Sequence, residues 1–72
     1  MPKLYSSVHI IKILGKYGFV FVSQRGSHIK MRKQGEPTFT VIIPAERKQI
    51  PVGTFNSIVR QSGLDKTVFE ER

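Results

Sequence analysis

Apolar residues spaced three and four positions apart predict a first helix near the start of the chain. Ile10, Ile13, Leu14 and Tyr17 follow the spacing of a helix that is buried on one side, so we place this helix at about Ser7 to Tyr17. Ser6 and Ser7, at the start of this helix, are of the type that caps helix N-termini. The glycine that follows it suits the left-handed conformation common at helix C-termini.

Three stretches rich in β-branched and aromatic residues predict strands after this helix. Phe19 to Gln24 is the first, His28 to Arg32 the second and Thr38 to Ile43 the third. Glycine-containing connections, Arg25 to Ser27 and Lys33 to Pro37, separate them. Because both faces of the first strand are apolar at its start, we expect it to lie largely covered, at the centre of a small sheet.

The second strand alternates between basic and apolar residues. His28, Lys30 and Arg32 lie on one of its faces, and Ile29 and Met31 lie on the other. We expect the apolar face to pack against helices and the threonines of the third strand to join the basic residues on the open side. The pattern therefore predicts a polar, cationic sheet face that carries a histidine.

The last part of the chain predicts a loop and two further helices. Polar residues between two prolines indicate a surface loop from Pro44 to Pro51. Helical apolar spacing after this loop predicts a second helix that Gly63 ends. Asp65 is placed to cap a last short helix, with Leu64 and Phe69 as its apolar anchors.

The order helix, strand, strand, strand, helix predicts an α+β fold. We expect a three-stranded antiparallel sheet with its helices packed on one face and the other face bare. The same order of elements occurs in the double-stranded RNA binding domain. Residues 1–72 form one domain, and a chain this short has only a small core, so a deep substrate cavity is not expected.

The net charge of the chain indicates which classes of molecule it binds. Twelve Lys and Arg against five Asp and Glu give a formal net charge of +7, which favours nucleic acid first and an acidic protein second. The absence of cysteine excludes disulfides and zinc-thiolate sites. No apolar run has the length of a signal peptide or a membrane span, so we expect a cytoplasmic protein without a membrane partner.

His28 is the candidate for chemistry because it follows a glycine turn on the cationic face. On spacing alone, a polar strand residue hydrogen-bonded to a neighbour is the commoner case. The functional alternative is general acid or base catalysis on a phosphodiester. RNA carries its own nucleophile, the 2′-hydroxyl, so a base and nearby cations suffice without a metal. The chain has no carboxylate cluster suited to a metal pair, which favours this metal-free route.

Basic and hydroxyl side chains around His28 are the candidates for holding the nucleic acid. The residues that we assign to RNA or phosphate binding are Arg25, Ser27, Lys30, Arg32, Arg47 and Lys48. Charge runs are equally common on solvated surfaces, so these charges alone do not establish a site. The other histidine, His9, falls on the lysine side of the first helix, and we predict a solvated surface residue without a role.

Several short motifs occur in one order along the chain. They are Ile11 to Leu14 followed by Gly18-Phe19, then Gly26-Ser27-His28, then Val41 to Pro44, then Gly53-Thr54-Phe55 through Ile58, Gln61 and Gly63. Their order and spacing together resemble the HicA-type toxins of bacterial and archaeal toxin-antitoxin pairs, small ribonucleases that cut messenger RNA. The resemblance implies a fold like the double-stranded RNA binding domain and His28 as the catalytic residue. It also implies a cognate HicB-like antitoxin that binds the toxin and masks the site.

One position departs from the pattern of that family. Many members carry a second histidine shortly after the proline that ends the third strand, and here Ala45 stands in that place. The identity of a second proton-transfer group is therefore open, with Lys48 as one replacement.

Three hypotheses follow from these observations. The first is a metal-independent endoribonuclease toxin of a type II toxin-antitoxin system, without a cofactor, in which His28 acts as general acid or base on mRNA. In it Arg25, Lys30 and Lys48 bind or neutralise phosphate. The second is a non-catalytic module that recognises RNA by shape, which would leave RNA intact after incubation. The third is a basic protein that only docks onto an acidic partner, without appreciable RNA affinity.

Overall fold

The predicted α+β arrangement is confirmed by a computed structural model, which describes residues 3–72. In chain order its elements are α1 (Ser7–Lys16), β1 (Val20–Arg25), β2 (His28–Lys33), β3 (Phe39–Pro44), α2 (Val52–Ser62) and a 3₁₀ helix (Lys66–Glu70). The three strands form one antiparallel sheet. None of the helices in this part of the chain is both long and apolar enough to cross a membrane.

The order of the strands in the sheet is β1-β2-β3, so β2 is central and β1 is an edge strand. Every residue of β1 is exposed, and the expectation that this strand lies covered at the centre was wrong. Two successive hairpins place the middle strand of the three at the centre. Both helices pack against β3 instead, and the apolar residue that precedes β1, Phe19, is the one that enters the core.

One face of the sheet carries the core, as the alternation predicted. Met31, Val41 and Ile43 are buried on that face against the apolar sides of the two helices. The remaining members of the core are Ile10, Ile13, Leu14, Phe19, Ile50, Phe55, Ile58 and Phe69. The opposite face has no helix over it, and we call it the open face.

The predicted helix ends are confirmed at four positions. The Ser6 hydroxyl accepts the backbone N–H of His9 and caps α1, and Gly18, with φ of 96°, follows the end of that helix. Gly63 ends α2 in the left-handed conformation. The Asp65 carboxylate accepts the backbone N–H of the second residue of the 3₁₀ helix and caps it.

The loop from Pro44 to Pro51 is exposed over residues 46–49, as predicted, but it also supplies two buried side chains. Ala45 and Ile50 are both buried, and Ile50 belongs to the core. The backbone N–H of Ile50 donates to the carbonyl of Tyr5 at 2.8 Å, which holds the end of the loop against the segment before α1. Because most residues of the loop are polar, the sequence pattern did not predict that Ala45 and Ile50 are buried.

His9 is not the freely solvated residue that we predicted. Its ring stacks on Tyr5 with the centroids 4.9 Å apart and an interplanar angle of 11°. Its Nε2 lies 2.6 Å from the carbonyl oxygen of Phe69. Because a carbonyl can only accept, Nε2 carries the proton and donates it. His9 therefore ties α1 to the 3₁₀ helix, a contact between residues 60 positions apart.

A second contact between α1 and the end of the chain involves Glu71. Its carboxylate accepts hydrogen bonds from the Lys16 ammonium at 2.8 Å and from the Tyr17 hydroxyl. These two hydrogen bonds lower the pKa of Glu71, and the bond to Glu71 raises the pKa of Tyr17. The ionised form of Glu71 is therefore the one that stabilises the fold.

Replacing Gly63 by alanine is expected to lower the free energy of unfolding by about 2 kcal/mol. Gly63 has φ of 69°, and a Cβ added there would lie 2.5 Å from the Phe39 ring. Gly15→Ala is the matched control, because a Cβ at this helical position meets nothing within 4 Å. It should raise stability by up to about 1 kcal/mol. Urea denaturation measures both, and equal effects of the two variants would contradict this account.

The dependence of stability on pH should report the lowered pKa of Glu71. A carboxyl whose pKa is lower in the folded state contributes stability above its unfolded pKa, and loses it as pH falls through the folded pKa. The difference in unfolding free energy between the wild type and Glu71→Gln should therefore be present at pH 7 and shrink below about pH 4.5. Glu36→Gln, in the exposed β2–β3 loop, is the control. A constant difference between wild type and Glu71→Gln down to pH 2 would refute the assignment.

Candidate functional site

A two-residue turn delivers His28 to the sheet. Arg25, the last residue of β1, pairs with His28, the first residue of β2, so only Gly26 and Ser27 connect the strands. Gly26 has φ of 54°, and Ser27 has no positive φ. A two-residue hairpin turn with a positive φ at its first central position favours glycine at that position. The turn therefore accounts for the glycine of the Gly-Ser-His order and places His28 at the first position of β2.

A β-bulge in β1 decides which side chains share the open face with His28. Phe21 pairs with Met31, and the next pair is Ser23 with Lys30, so Val22 is an extra residue on β1. Paired residues in an antiparallel sheet point to the same face. Strict alternation along β1 would have turned the last residue of β1 towards the helices, but the extra residue reverses the order from that point on.

After the bulge, Ser23 and Arg25 lie on the open face, beside Lys30 and His28 of β2. These four side chains and Ile42 of β3 line a shallow depression of about 400 Å³. The depression brings together an exposed imidazole, a guanidinium and an ammonium. Such a set can bind an anion and exchange a proton with it.

Three of the residues predicted from the sequence line this depression together, namely Arg25, His28 and Lys30. Arg32 lies on the same face, but four residues further along β2, which is about 13 Å from His28 at the usual rise of a strand. Its Nε–H donates to the Thr40 hydroxyl at 3.3 Å. Arg32 therefore lies on the open face but outside the lining of the depression.

The other predicted residues do not line the depression. Ser27 lies in the turn itself, and its carbonyl accepts the backbone N–H of Ala45 at 2.7 Å. Arg47 and Lys48 are exposed in the loop after β3, at the same end of the sheet as the turn. They extend the positive charge at this end beyond the depression.

Sequence reasoning missed Ser23 as a lining residue. The bulge that turns Ser23 to the open face arises from the pairing of β1 with β2. The sequence of β1 alone does not predict it. Ile42 was signalled by the alternation of β3, which groups it with the threonines of the open face, and it pairs with Lys30.

A buried hydroxyl holds the strand beside His28 in place. His28 pairs with Pro44, the last residue of β3, and the carbonyl of Pro44 accepts a hydrogen bond from the Ser7 hydroxyl at 2.5 Å. The same hydroxyl accepts the backbone N–H of Arg47, and the backbone N–H of Ser7 donates to the carbonyl of Arg47, both at 2.9 Å. Ser7, only 1% exposed, therefore fixes the start of α1 to the end of β3 and to the loop that follows.

Position 45 adjoins the turn that carries His28. Ala45 is buried, and its hydrogen bond to Ser27 connects the β3 end to the turn. Its small side chain offers no proton-transfer group. Within residues 3–72, no group of three or more His, Asp and Glu side chains comes together in a way that could hold a metal ion.

A comparison with protein families gives a match. The model of the family described as the HicA toxin of bacterial toxin-antitoxin matches residues 9–64, which is more than three quarters of the chain and includes the whole sheet and α2. A comparison with curated proteins found no match.

Ser7→Ala should lower the free energy of unfolding by about 1 to 3 kcal/mol, because it leaves the Pro44 carbonyl and the Arg47 N–H without their partner. Ser57→Ala is the control. The Ser57 hydroxyl donates to a carbonyl one turn before it at 3.3 Å and accepts from the exposed Arg60 guanidinium at 3.1 Å, and both of these hydrogen bonds lie at the surface. Thermal unfolding followed by circular dichroism measures both variants. Equal stability of the two would show that the Ser7 hydroxyl does not hold this junction.

Proposed function

Because the chain belongs to the HicA toxin family of bacterial toxin-antitoxin systems, we propose that it is an endoribonuclease toxin that cleaves mRNA without a metal ion. Family membership implies a cognate antitoxin as its partner. The observation that supports the catalytic proposal is the depression that joins His28 to Arg25 and Lys30 on the open face. A face without helices admits a long polyanion, which a closed pocket would not.

In the proposed reaction His28 takes the proton of the 2′-hydroxyl as general base. The 2′-oxygen attacks the adjacent phosphorus, the new P–O bond forms and the bond to the 5′-oxygen breaks. The products are a 2′,3′-cyclic phosphate and a 5′-hydroxyl, and the proton held by His28 can return to the leaving oxygen. Arg25 and Lys30 stabilise the additional negative charge of the phosphorane.

The remaining candidates act at the edges of this site. Arg32, further along β2, and Arg47 and Lys48, in the loop, contact neighbouring phosphates of the strand and position it. The hydroxyl of Ser27 contacts the RNA at the turn. With Ala45 in place of a second histidine, we assign both proton transfers to His28.

The absence of a second acid or base from the lining of the depression favours one alternative. A depression with a single histidine among cations also suits a non-catalytic module that binds RNA through phosphate and 2′-hydroxyl contacts. Such a module would show salt-sensitive affinity and would return the RNA intact.

RNA cleavage in the presence of a chelator tests the proposal, with the two histidines as a matched pair. His28→Ala should cut at least about a hundredfold more slowly, because general acid–base catalysis commonly contributes 10² to 10⁴, and its melting temperature should be unchanged because His28 is exposed. His9→Ala should keep the cleavage rate per folded molecule. The free energy of unfolding of His9→Ala should fall by about 1 to 2 kcal/mol, because the hydrogen bond to the Phe69 carbonyl is lost.

Three outcomes of this experiment decide between the alternatives. An oligonucleotide with a 2′-deoxy sugar at the cleavage site should remain intact, because it lacks the nucleophile. Intact RNA with the wild-type protein would support the binding module instead. Undiminished cleavage by His28→Ala would remove His28 from the mechanism.

A further inference from the structure

The exposed edge of the sheet carries an apolar patch that the proposed site does not use. Val20, Phe21 and Val22 are consecutive residues of β1, and they are 60%, 62% and 40% exposed. Edge strands offer unpaired backbone groups to other chains, and soluble proteins usually protect them with charges, proline, bulges or a covering segment. Of these devices, residues 20–22 have only the bulge at Val22. Three consecutive exposed apolar residues on an edge strand are typical of a surface that contacts a partner.

The opposite edge of the sheet is protected. At β3, the side-chain oxygen of Gln61 from α2 accepts the backbone N–H of Ile42 at 3.0 Å. The strand also lies under α2 and α1. The two edges of this small sheet thus differ, since all six residues of β1 stay exposed.

The apolar patch extends over both faces of the sheet. Val20 pairs with Arg32 and lies on the open face, while Phe21 pairs with Met31 and lies on the helix side. RNA bound on the open face would reach only the first of these two. A β-strand added along the edge presents side chains alternately to both faces and therefore covers both.

Charge selects the kind of chain that can add this strand. A second copy of the protein would bring one net charge of +7 against another, which opposes self-association. An acidic segment is attracted instead, above all at the end of β1 where Arg25 stands beside Lys30.

We propose that β1 is the docking strand for the antitoxin, which adds an extended segment to the sheet as a fourth strand. This inference rests on the proposed function only in naming the antitoxin as the partner. The segment has apolar residues beside Val20 and Phe21, and a carboxylate beside Arg25 on the open face. That carboxylate occupies the place of an RNA phosphate next to His28, so docking at the edge also closes the depression.

The test measures the affinity of the purified cognate antitoxin for two lysine variants by calorimetry. Phe21→Lys should raise the Kd roughly thirtyfold or more, as loss of a central aromatic contact does. Val8→Lys is the matched control, because Val8 is an apolar residue of α1 that is 75% exposed, and its Kd should equal that of the wild type. Both variants add the same charge, so the difference between them reports the lost apolar contact.

Hydrogen exchange on the wild-type complex provides a second measurement. The backbone amides of residues 20–25 should exchange more slowly when the antitoxin is bound, because an added strand pairs with them. Wild-type affinity of Phe21→Lys, or unchanged exchange in β1, would overturn the proposal.

Two further measurements distinguish the antitoxin from RNA and from a second copy of the protein as the molecule that binds this edge. Phe21→Lys should still cut RNA at the wild-type rate, and a loss of cleavage with intact antitoxin binding would assign the edge to RNA. Sedimentation of the free toxin should show a monomer, and a dimer that Phe21→Lys dissociates would assign the edge to a second copy. Antitoxin affinity is measured without RNA, so the proposal stands or falls independently of ribonuclease activity.

Discussion

The hydroxyl of Ser7 connects the parts of the chain on which the site depends. It lies in the core, where an unpaired polar group would cost stability, and its hydrogen bonds to Pro44 and Arg47 satisfy three groups at once. Pro44 is the neighbour of His28 in the sheet, so the start of α1 is attached to the strand beside the candidate catalytic residue. The loop beyond Arg47 then returns to the core through Ile50. A single small side chain thereby coordinates helix, sheet and loop.

Much of this fold could be predicted from local patterns in the sequence. The alternation of β2 separates His28 and Lys30 from Met31, and the glycine at the end of α2 has the conformation expected of it. Local pattern could not place β1, because a short apolar run such as Phe19 to Val22 is compatible with either a central or an edge strand. The position of β1 depends on which strands pair and on where the helices lie, and both are long-range properties.

The difference between local patterns and long-range contacts also explains which parts of the candidate site could be predicted from the sequence. His28 and Lys30 share a face by alternation within one strand, but Arg25 joins them only through the bulge at Val22. His9 was misjudged because its partner, Phe69, is distant in sequence and contributes a backbone carbonyl, which no side-chain pattern encodes. The alternation within one strand could therefore be predicted from the sequence, whereas the bulge and the hydrogen bond between α1 and the 3₁₀ helix could not.

The separation of the core face from the open face has a genetic consequence. The residues of the depression contribute nothing to the buried core, so a substitution at His28 removes the proposed catalytic group without disturbing the packing of the core. If His28 is the catalytic residue and β1 binds the antitoxin, a chain with such a substitution is inactive but still sequesters the antitoxin. A second, inactive copy in the same cell would then act as a decoy that releases the active toxin from its inhibitor. Such alleles would be dominant rather than silent.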